Sequence, residues 1–427
     1  MSTPAAAPLT THDVVIAGGS FAGLALAAAL SKVSGGDLSV AVVSPAFPAL
    51  ATDTPPADAR ASALSRASLN LLDALGVWTE LAPHAQIVTA IDLTDSDLAD
   101  ALRPTLFTYD LDASADGTGL PAMVIVENHR LSAALHRAAH GSQGVALIAG
   151  ATIATATAGL NVIRVHLSTG TDLSARVLVA ADGGRSRLRE GAGIKTIGWP
   201  YAQAGIITTV LPELPHGGRA VQHFLPAGPF ALLPMTDNRI CVTWTEIDAE
   251  ARRIVALDQD GFRGEVERRF GHKLGALQSI APPQTWPLEI SVARTLIAPR
   301  FALIGDAAHT LHPIAGQGLN LGFRDAAALA ECLVDGARLG LDIGHAPTLE
   351  RYERWRRFDN LASAAAFDAL NRLFSTDATL ARSARGAVLG VANVLPSLKS
   401  WLIAEARGDS DDAPPLMRAS AGHENRG

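Results

Sequence analysis

Residues 14–31 carry no charge and approach the length of a membrane span, yet the run is cut by Gly18, Gly19, Ser20 and Gly23. Asp13 precedes it, and no basic region lies ahead. A run of this kind folds as a buried strand over 14–17, a glycine-rich turn and a helix over 22–33, with a second strand over 39–43 completing a βαβ unit. A helix that opens directly after such a turn presents unpaired N–H groups and a positive dipole end, the arrangement that holds a pyrophosphate. Ser20 stands where a glycine is usual; it is small and has a hydroxyl to donate. Ser44 stands where dinucleotide binders place an acid for the ribose hydroxyls. An ordinary tight turn between strand and helix is the bland reading of the same residues.

The chain has 427 residues, enough for two or three structural units. Its 48% hydrophobic and 18% charged residues make a globular composition. Thirty-five Lys and Arg against 42 Asp and Glu leave a net charge of −7, so no nucleic-acid partner is expected. Two cysteines, Cys241 and Cys332, provide neither a disulfide framework nor a zinc constellation, and no metal site is expected. With no signal peptide or clean membrane span, the expected address is the reducing cytoplasm.

Residues 1–11 and 408–427 read as tails. The expected fold class is α/β: a Rossmann-like domain over 12–84, 121–191 and 287–345, interrupted by a second domain at 85–120 and 192–286 and followed by helices over 346–407. In the first domain we expect a helix near 63–75, a strand over 124–126 running into a helix over 128–139, and strands over 162–167 and 177–181. Short strands at 205–211, 221–225, 230–234 and 240–245, separated by Pro and Gly turns, predict an antiparallel sheet in the second. Three helical segments are expected over 347–405.

Two further motifs carry chemistry. Ala180-Ala181-Asp182-Gly183-Gly184 ends an apolar strand on an acid and two glycines, with Arg185, Arg187 and Arg189 following; its alternative is a turn with solvated arginines. Gly305-Asp306-Ala307-Ala308-His309 continues through Pro313, Gly316-Gln317-Gly318-Leu319-Asn320 and Asp325 into a helix. A carboxylate at a strand end accepts hydrogen bonds from ribityl hydroxyls, and glycines let the backbone lie against a flat ring. A helix starting near Leu319 would aim its positive end at the pyrimidine edge of a reduced, anionic flavin.

These three fingerprints, in this order, make the chain resemble the single-component FAD-dependent aromatic hydroxylases. Within that superfamily it resembles most the UbiH/UbiF-type hydroxylases of ubiquinone biosynthesis, over nearly all of 12–407. Supporting residues are Asp58-Ala59-Arg60, Ala63-Leu64-Ser65, Leu75-Gly76-Val77-Trp78, Val126-Glu127-Asn128, Tyr201 with Gln203, Gly228-Pro229, Leu232-Leu233-Pro234 and Leu373-Phe374-Ser375.

The resemblance implies FAD as cofactor and NAD(P)H and O₂ as co-substrates, with ring hydroxylation through a flavin C4a-hydroperoxide. It places Gly18, Ser20 and Gly23 at the FAD pyrophosphate, Arg60 near the FAD at the domain border and Asn128 at the flavin chain. Asp182, followed by Gly183, would sit beside the FAD and the NAD(P)H path, and Asp306, after Gly305, would hold the ribityl chain. Pro313, Gly316, Gln317, Gly318 and Asn320 would surround the isoalloxazine. A phenol activates itself, so no strong base is assigned; the candidates nearest the flavin are Pro313, Gly316, Gln317 and Gly318.

The implied substrate is a polyprenyl phenol of the bilayer, and the implied partner a ubiquinone-biosynthesis complex. Val388, Val391, Leu395, Leu398 and Leu402, with Trp401 alongside, form a stripe that suits either a peripheral membrane contact or packing on the chain's own domain, although Pro396 interrupts it. A hydroxylase of a small soluble aromatic and a non-catalytic flavin-binding scaffold are the competing readings. Among single residues, Arg60 suits the cofactor or a surface ion pair, His309 a cap of its turn or a direct chemical role, Trp244 core packing ahead of a substrate contact, and His216 and His223 stay open between core and substrate.

Overall fold

The structure, a computed structural model, describes residues 10–49, 60–95, 98, 105–111, 119–271, 273–312, 317–374 and 412–418. The chain opens with β1 (Thr10–Ala17), α1 (Phe21–Ser34) and β2 (Val40–Ser44). Val14, Val15 and Ile16 have no exposed surface, as expected of a parallel strand covered on both faces. Every residue of α1 from Gly23 to Ser31 is buried, because the helix lies between the sheet and a later helix. Gly35, at φ +69°, ends α1 in the left-handed conformation. The uncharged run is therefore strand, turn and helix. Among the described residues no helix is long and apolar enough to cross a membrane.

Next come β3 (Ala61–Ser65), α2 (Arg66–Ala74), α3 (Trp78–Leu81), β4 (Gln86–Ile87), β5 (Ala90–Asp95), β6 (Thr105–Asp110), β7 (Met123–Glu127) and α4 (Asn128–Gly141). Residues 61–65 correct the helix expected near 63–75: they pair with β7, and Ser65 caps α2 by accepting from the Ser68 N–H, so the helix begins only at Arg66. The chain continues through β8 (Val145–Ala149), β9 (Ile153–Ala158), β10 (Ile163–Leu167), β11 (Asp172–Ala180) and α5 (Arg187–Gly191).

The second half holds β12 (Thr196–Pro212), β13 (Arg219–Leu225), β14 (Gly228–Pro234), β15 (Ile240–Ile247), α6 (Asp248–Val255), α7 (Gln259–Phe270), β16 (Leu277–Ile280) and β17 (Gln284–Ala293). Two helices thus stand in a stretch read from sequence as strands alone; they bury Ala251, Ile254, Phe262, Val266 and Phe270 against the sheet around Trp244. After β18 (Ile297–Ala298), β19 (Phe301–Leu303) and β20 (His309–Thr310) come α8 (Gln317–Arg338) and α9 (Ala346–Phe374). One helix therefore covers the start of the expected three segments. The stripe from Val388 to Leu402 lies outside the described residues.

The first sheet has the order β18-β19-β11-β1-β2-β8, parallel from β19 to β8, with β10 antiparallel on β11 and β9 antiparallel on β10. The second runs β20-β17-β12-β15-β14-β13-β5-β6, with β16 on β12. It is not wholly antiparallel, contrary to expectation. β5 enters beside β13 in parallel register, because it arrives from the first half of the chain and not through a hairpin. A third, small sheet is β3-β7-β4. The architecture is a Rossmann-like α/β layer joined to a largely antiparallel sheet.

Candidate functional site

The carboxyl ends of β1, β11 and β19 and the N-termini of α1 and α8 surround a cavity of about 990 Å³. Such a crevice at strand ends is where open α/β sheets bind ligands. Gly18 turns the chain at φ +117°, and a Cβ there would stand 2.2 Å from the Ala181 carbonyl oxygen. A Cβ on Gly23 would stand 2.0 Å from the Gly18 oxygen, so this glycine seats α1 on the turn and does not line the cavity. Ser20 is exposed to the cavity and makes no side-chain cap, so the first-turn N–H groups of α1 are left for a ligand.

Beyond β2, Ser44 is buried and its hydroxyl donates to the Ala46 carbonyl at 2.5 Å. Pro45 to Ala49 form an apolar shelf, with Phe47 stacked on His136 at 5.2 Å. Arg60 lines the cavity just before β3, and its carbonyl accepts from the Asn128 N–H. Asn128 lines it from the first turn of α4, its amide oxygen accepting from Ser62 at 2.7 Å. The acids among the described lining residues are Asp182 and Asp306. Burial raises the Asp182 carboxyl pKa, opposed by a hydrogen bond from Ser186.

Gly183, at φ +88°, follows Asp182 on the wall. Arg189 is buried, and its guanidinium donates to the carbonyls of Ala307 and Gly184, both at 2.9 Å. It therefore clamps the second motif to the third. The alternative of a turn with solvated arginines therefore does not hold for Arg189, which follows the Ser186 cap of α5.

In the third motif Gly305 adopts φ +58°, against Ala22 and Gly322. Its N–H donates to Asp325 at 3.1 Å, and His309 Nε2 bonds the same carboxylate at 2.6 Å. The other Asp325 oxygen accepts from Arg356 at 2.9 Å and from Asn360 at 3.3 Å. Burial works against the Asp325 charge, but His309 and Arg356 outweigh it and hold the pKa at about 2. Asp306 opens onto the cavity, yet it sits deep in the fold; its exposed surface is cavity wall, and burial pushes its carboxyl pKa up.

Helix α8 starts at Gln317, two residues before the expected Leu319; Gly318, Leu319 and Gly322 line the cavity and Gln317 does not. Asn320 does not line it either. Its amide is spent inside the protein, accepting from Ser68 and from the Ser65 N–H and donating to the Ala63 carbonyl at 3.0 Å. It staples α8 to β3 and α2. Pro313 and Gly316 lie outside the described residues, as do Asp58 and Ala59. Of the residues left open, His216 is satisfied by Met235 and Gly218, His223 bonds Thr94, and Trp244 is buried with Arg269 over its ring.

The wall thus combines a helix N-terminus without a cap, an apolar shelf, a deep carboxylate and glycines where a flat ring must approach. These features fit a dinucleotide carrying a pyrophosphate, a polyol and a planar ring system. The sequence profile of the FAD binding domain family matches residues 11–357. The chain belongs to that family, and FAD is its cofactor.

The flavoprotein is 39% identical over 411 residues to the ubiquinone hydroxylase UbiL of Rhodospirillum rubrum, covering 95% of this chain and 92% of the relative. It is 31% identical over 404 residues to the 3-demethoxyubiquinol 3-hydroxylase of Escherichia coli, covering 93% and 98%. In fold it is similar to the p-nitrophenol 4-monooxygenase PnpA of Pseudomonas putida, with a TM-score of 0.75 at 19% identity over 94% of this chain and 100% of that one. It is an FAD-dependent aromatic-ring monooxygenase.

Proposed function

We propose that the flavoprotein hydroxylates the aromatic ring of a polyprenyl-phenol intermediate of ubiquinone biosynthesis, using NAD(P)H and O₂. The observation that carries this reading is the likeness to UbiL, which extends over 95% of the chain and so includes the second sheet as well as the cofactor cavity. When bound, FAD supplies the electron transfer and the oxygen activation.

The chain's own residues would bind and orient. Gly18, Ser20 and the first turn of α1 would hold the pyrophosphate through N–H groups and the helix dipole. The shelf from Pro45 to Ala49 would take the adenosine end, and with Ser44 committed to Ala46 no acid contact to the ribose is expected from that position. Arg60 and Asn128 would meet the middle of the cofactor, and Asp306 would accept from the ribityl hydroxyls. Gly305, Gly318 and the N-terminus of α8 would lie against the ring, where the dipole favours negative charge. Asp182 and Gly183 would border the path of the nicotinamide reductant. Membrane contact and membership of a biosynthetic complex are further parts of this proposal, suited to a substrate held in the bilayer.

The test combines the absorption spectrum of the purified protein with mass spectrometry of quinone intermediates in cells lacking the gene and in complemented cells. The expected result is bound flavin and a polyprenyl phenol that accumulates without the gene, disappears on complementation and persists with Asp306→Ala. A yellow protein with unchanged quinone pools would redirect the reading to a soluble aromatic. A colourless one that restores quinone would make it a scaffold.

A further inference from the structure

Beyond the described lining of the FAD cavity lies a buried imidazole with both ring nitrogens unpartnered. His312 is 3% exposed, and among the described residues neither Nδ1 nor Nε2 has a hydrogen-bond partner. Burying an imidazole without partners is unfavourable, so an orphan of this kind marks a place where a molecule from outside the polypeptide supplies the missing bond.

Its position says which molecule. Between Leu303 of β19 and Thr310 of β20 the chain crosses from the first sheet to the second: Asp306 lies on the FAD cavity wall, while His309 and Thr310 already pair with Val292 and Ser291 of β17. His312 follows directly, on the second sheet's side of Asp306 and outside the described lining of the cavity. Its ring meets the edge of Tyr201 at 5.2 Å and 80°, and neighbouring Leu311 packs with Ile290, Val292 and Ala364.

The other polar groups there are already committed. The Tyr201 hydroxyl donates to Asp368 at 2.9 Å, and Asp368 pairs with Arg372 at 2.8 Å. What remains is an apolar wall with a single imidazole to offer. Burial pushes the His312 pKa down to about 4 despite the pull of Asp368, which keeps the ring neutral near pH 7 with one acceptor nitrogen and one N–H. A phenol, an apolar ring with one O–H that both donates and accepts, is the complement of such a wall; a carboxylate would require a cation.

We propose that His312 hydrogen-bonds the phenolic hydroxyl of the substrate and thereby fixes which ring carbon faces the flavin. This assignment rests on the function proposed above. An imidazole that accepts the O–H also draws electron density onto the ring, which favours attack by an electrophilic oxygen.

The test uses FAD-loaded wild type, His312→Phe and His312→Gln, with a phenol bearing one short prenyl chain as probe. Its Kd is read from perturbation of the flavin absorption, coupling from product formed per NAD(P)H oxidised, and stability from melting without substrate. The expected His312→Phe protein keeps its FAD and melts no lower than wild type, since two unpaired polar atoms are gone. It binds the probe about tenfold more weakly, and loses coupling and regioselectivity; His312→Gln recovers part of each. A His312→Phe protein with wild-type Kd and coupling overturns the assignment while leaving the function standing, and so does a fall in melting temperature shared by both variants, which assigns a structural water to His312. Wild type that holds FAD but neither binds nor hydroxylates the probe overturns the function and this assignment together.

Discussion

A methyl group placed at Gly18 and one placed at Gly183 separate two demands that a cofactor turn makes on its glycines. Both have positive φ, +117° and +88°, but a Cβ at Gly18 meets the Ala181 carbonyl at 2.2 Å, whereas nothing lies within 4 Å of one at Gly183. Backbone cannot yield as a side-chain tip can. Gly18→Ala is therefore expected to lose at least about 2 kcal/mol and its yellow colour, and Gly183→Ala only about 1 kcal/mol. Urea unfolding of the cofactor-free proteins measures both, and equal losses would show that the approach to Ala181 does not constrain position 18. At Asp306 the question is charge. Burial raises its pKa in the folded, cofactor-free chain, so its favourable contribution is complete below the ordinary carboxylate range and is lost as pH rises through the raised value. At neutral pH Asp306→Asn should therefore leave the cofactor-free protein as stable as wild type or more so. FAD affinity should meanwhile fall about tenfold or more, because a charged acceptor is removed. Melting curves across the acid-to-neutral range, with FAD titrations alongside, read both; an FAD affinity that survives would place the ribityl chain elsewhere.

At the scale of elements, the FAD-side turn is held by helices that begin well after it. Asp325 of α8 takes the Gly305 N–H, and Arg356 of α9, fully buried, neutralises Asp325. Arg356→Leu leaves that carboxylate buried without its cation, and a loss of about 3–5 kcal/mol is expected in denaturant unfolding at neutral pH. Because the Asp325 pKa is lowered to about 2, its stabilisation is complete above the ordinary carboxylate pKa and fades as pH falls toward 2. The difference between wild type and variant should therefore shrink in acid; a constant difference would assign the effect to packing. Local patterns announced the βαβ opening, the strand at 124–126 with its helix, and the three glycine turns, since each is written in contiguous residues. What stayed hidden depends on partners far along the chain. Asn320 reads as a ring contact until Ser65 and Ser68 occupy its amide, and Arg189 reads as solvated until Ala307 and Gly184 meet it. The parallel entry of β5 beside β13 depends on chain path, which periodicity does not carry.

For the whole molecule, the cavity wall is drawn from the start of α1, the segment after β2, Arg60, the first turns of α4 and α8, and the ends of β11 and β19. FAD therefore ties together segments that the backbone leaves far apart in sequence. A ligand bound only by the native state raises the free energy of unfolding by about 2.7 kcal/mol at a hundredfold excess over its Kd, so the melting temperature should climb with the logarithm of FAD concentration. Gly18→Ala should abolish that dependence. Where the added stability resides follows from the sheet order. β1, β11 and the start of α8 touch the wall, whereas β13, β5 and β6 lie at the far edge of the second sheet from β20 and β17 and meet the first half of the chain through packing against the small sheet of β3 and β7. Hydrogen exchange with and without FAD should then show new protection strongest in β1, β11 and α8, and least in β13, β5 and β6. Uniform protection across both sheets would mean instead that they open as one cooperative unit, and that the cofactor stabilises the second sheet as firmly as the cavity it occupies.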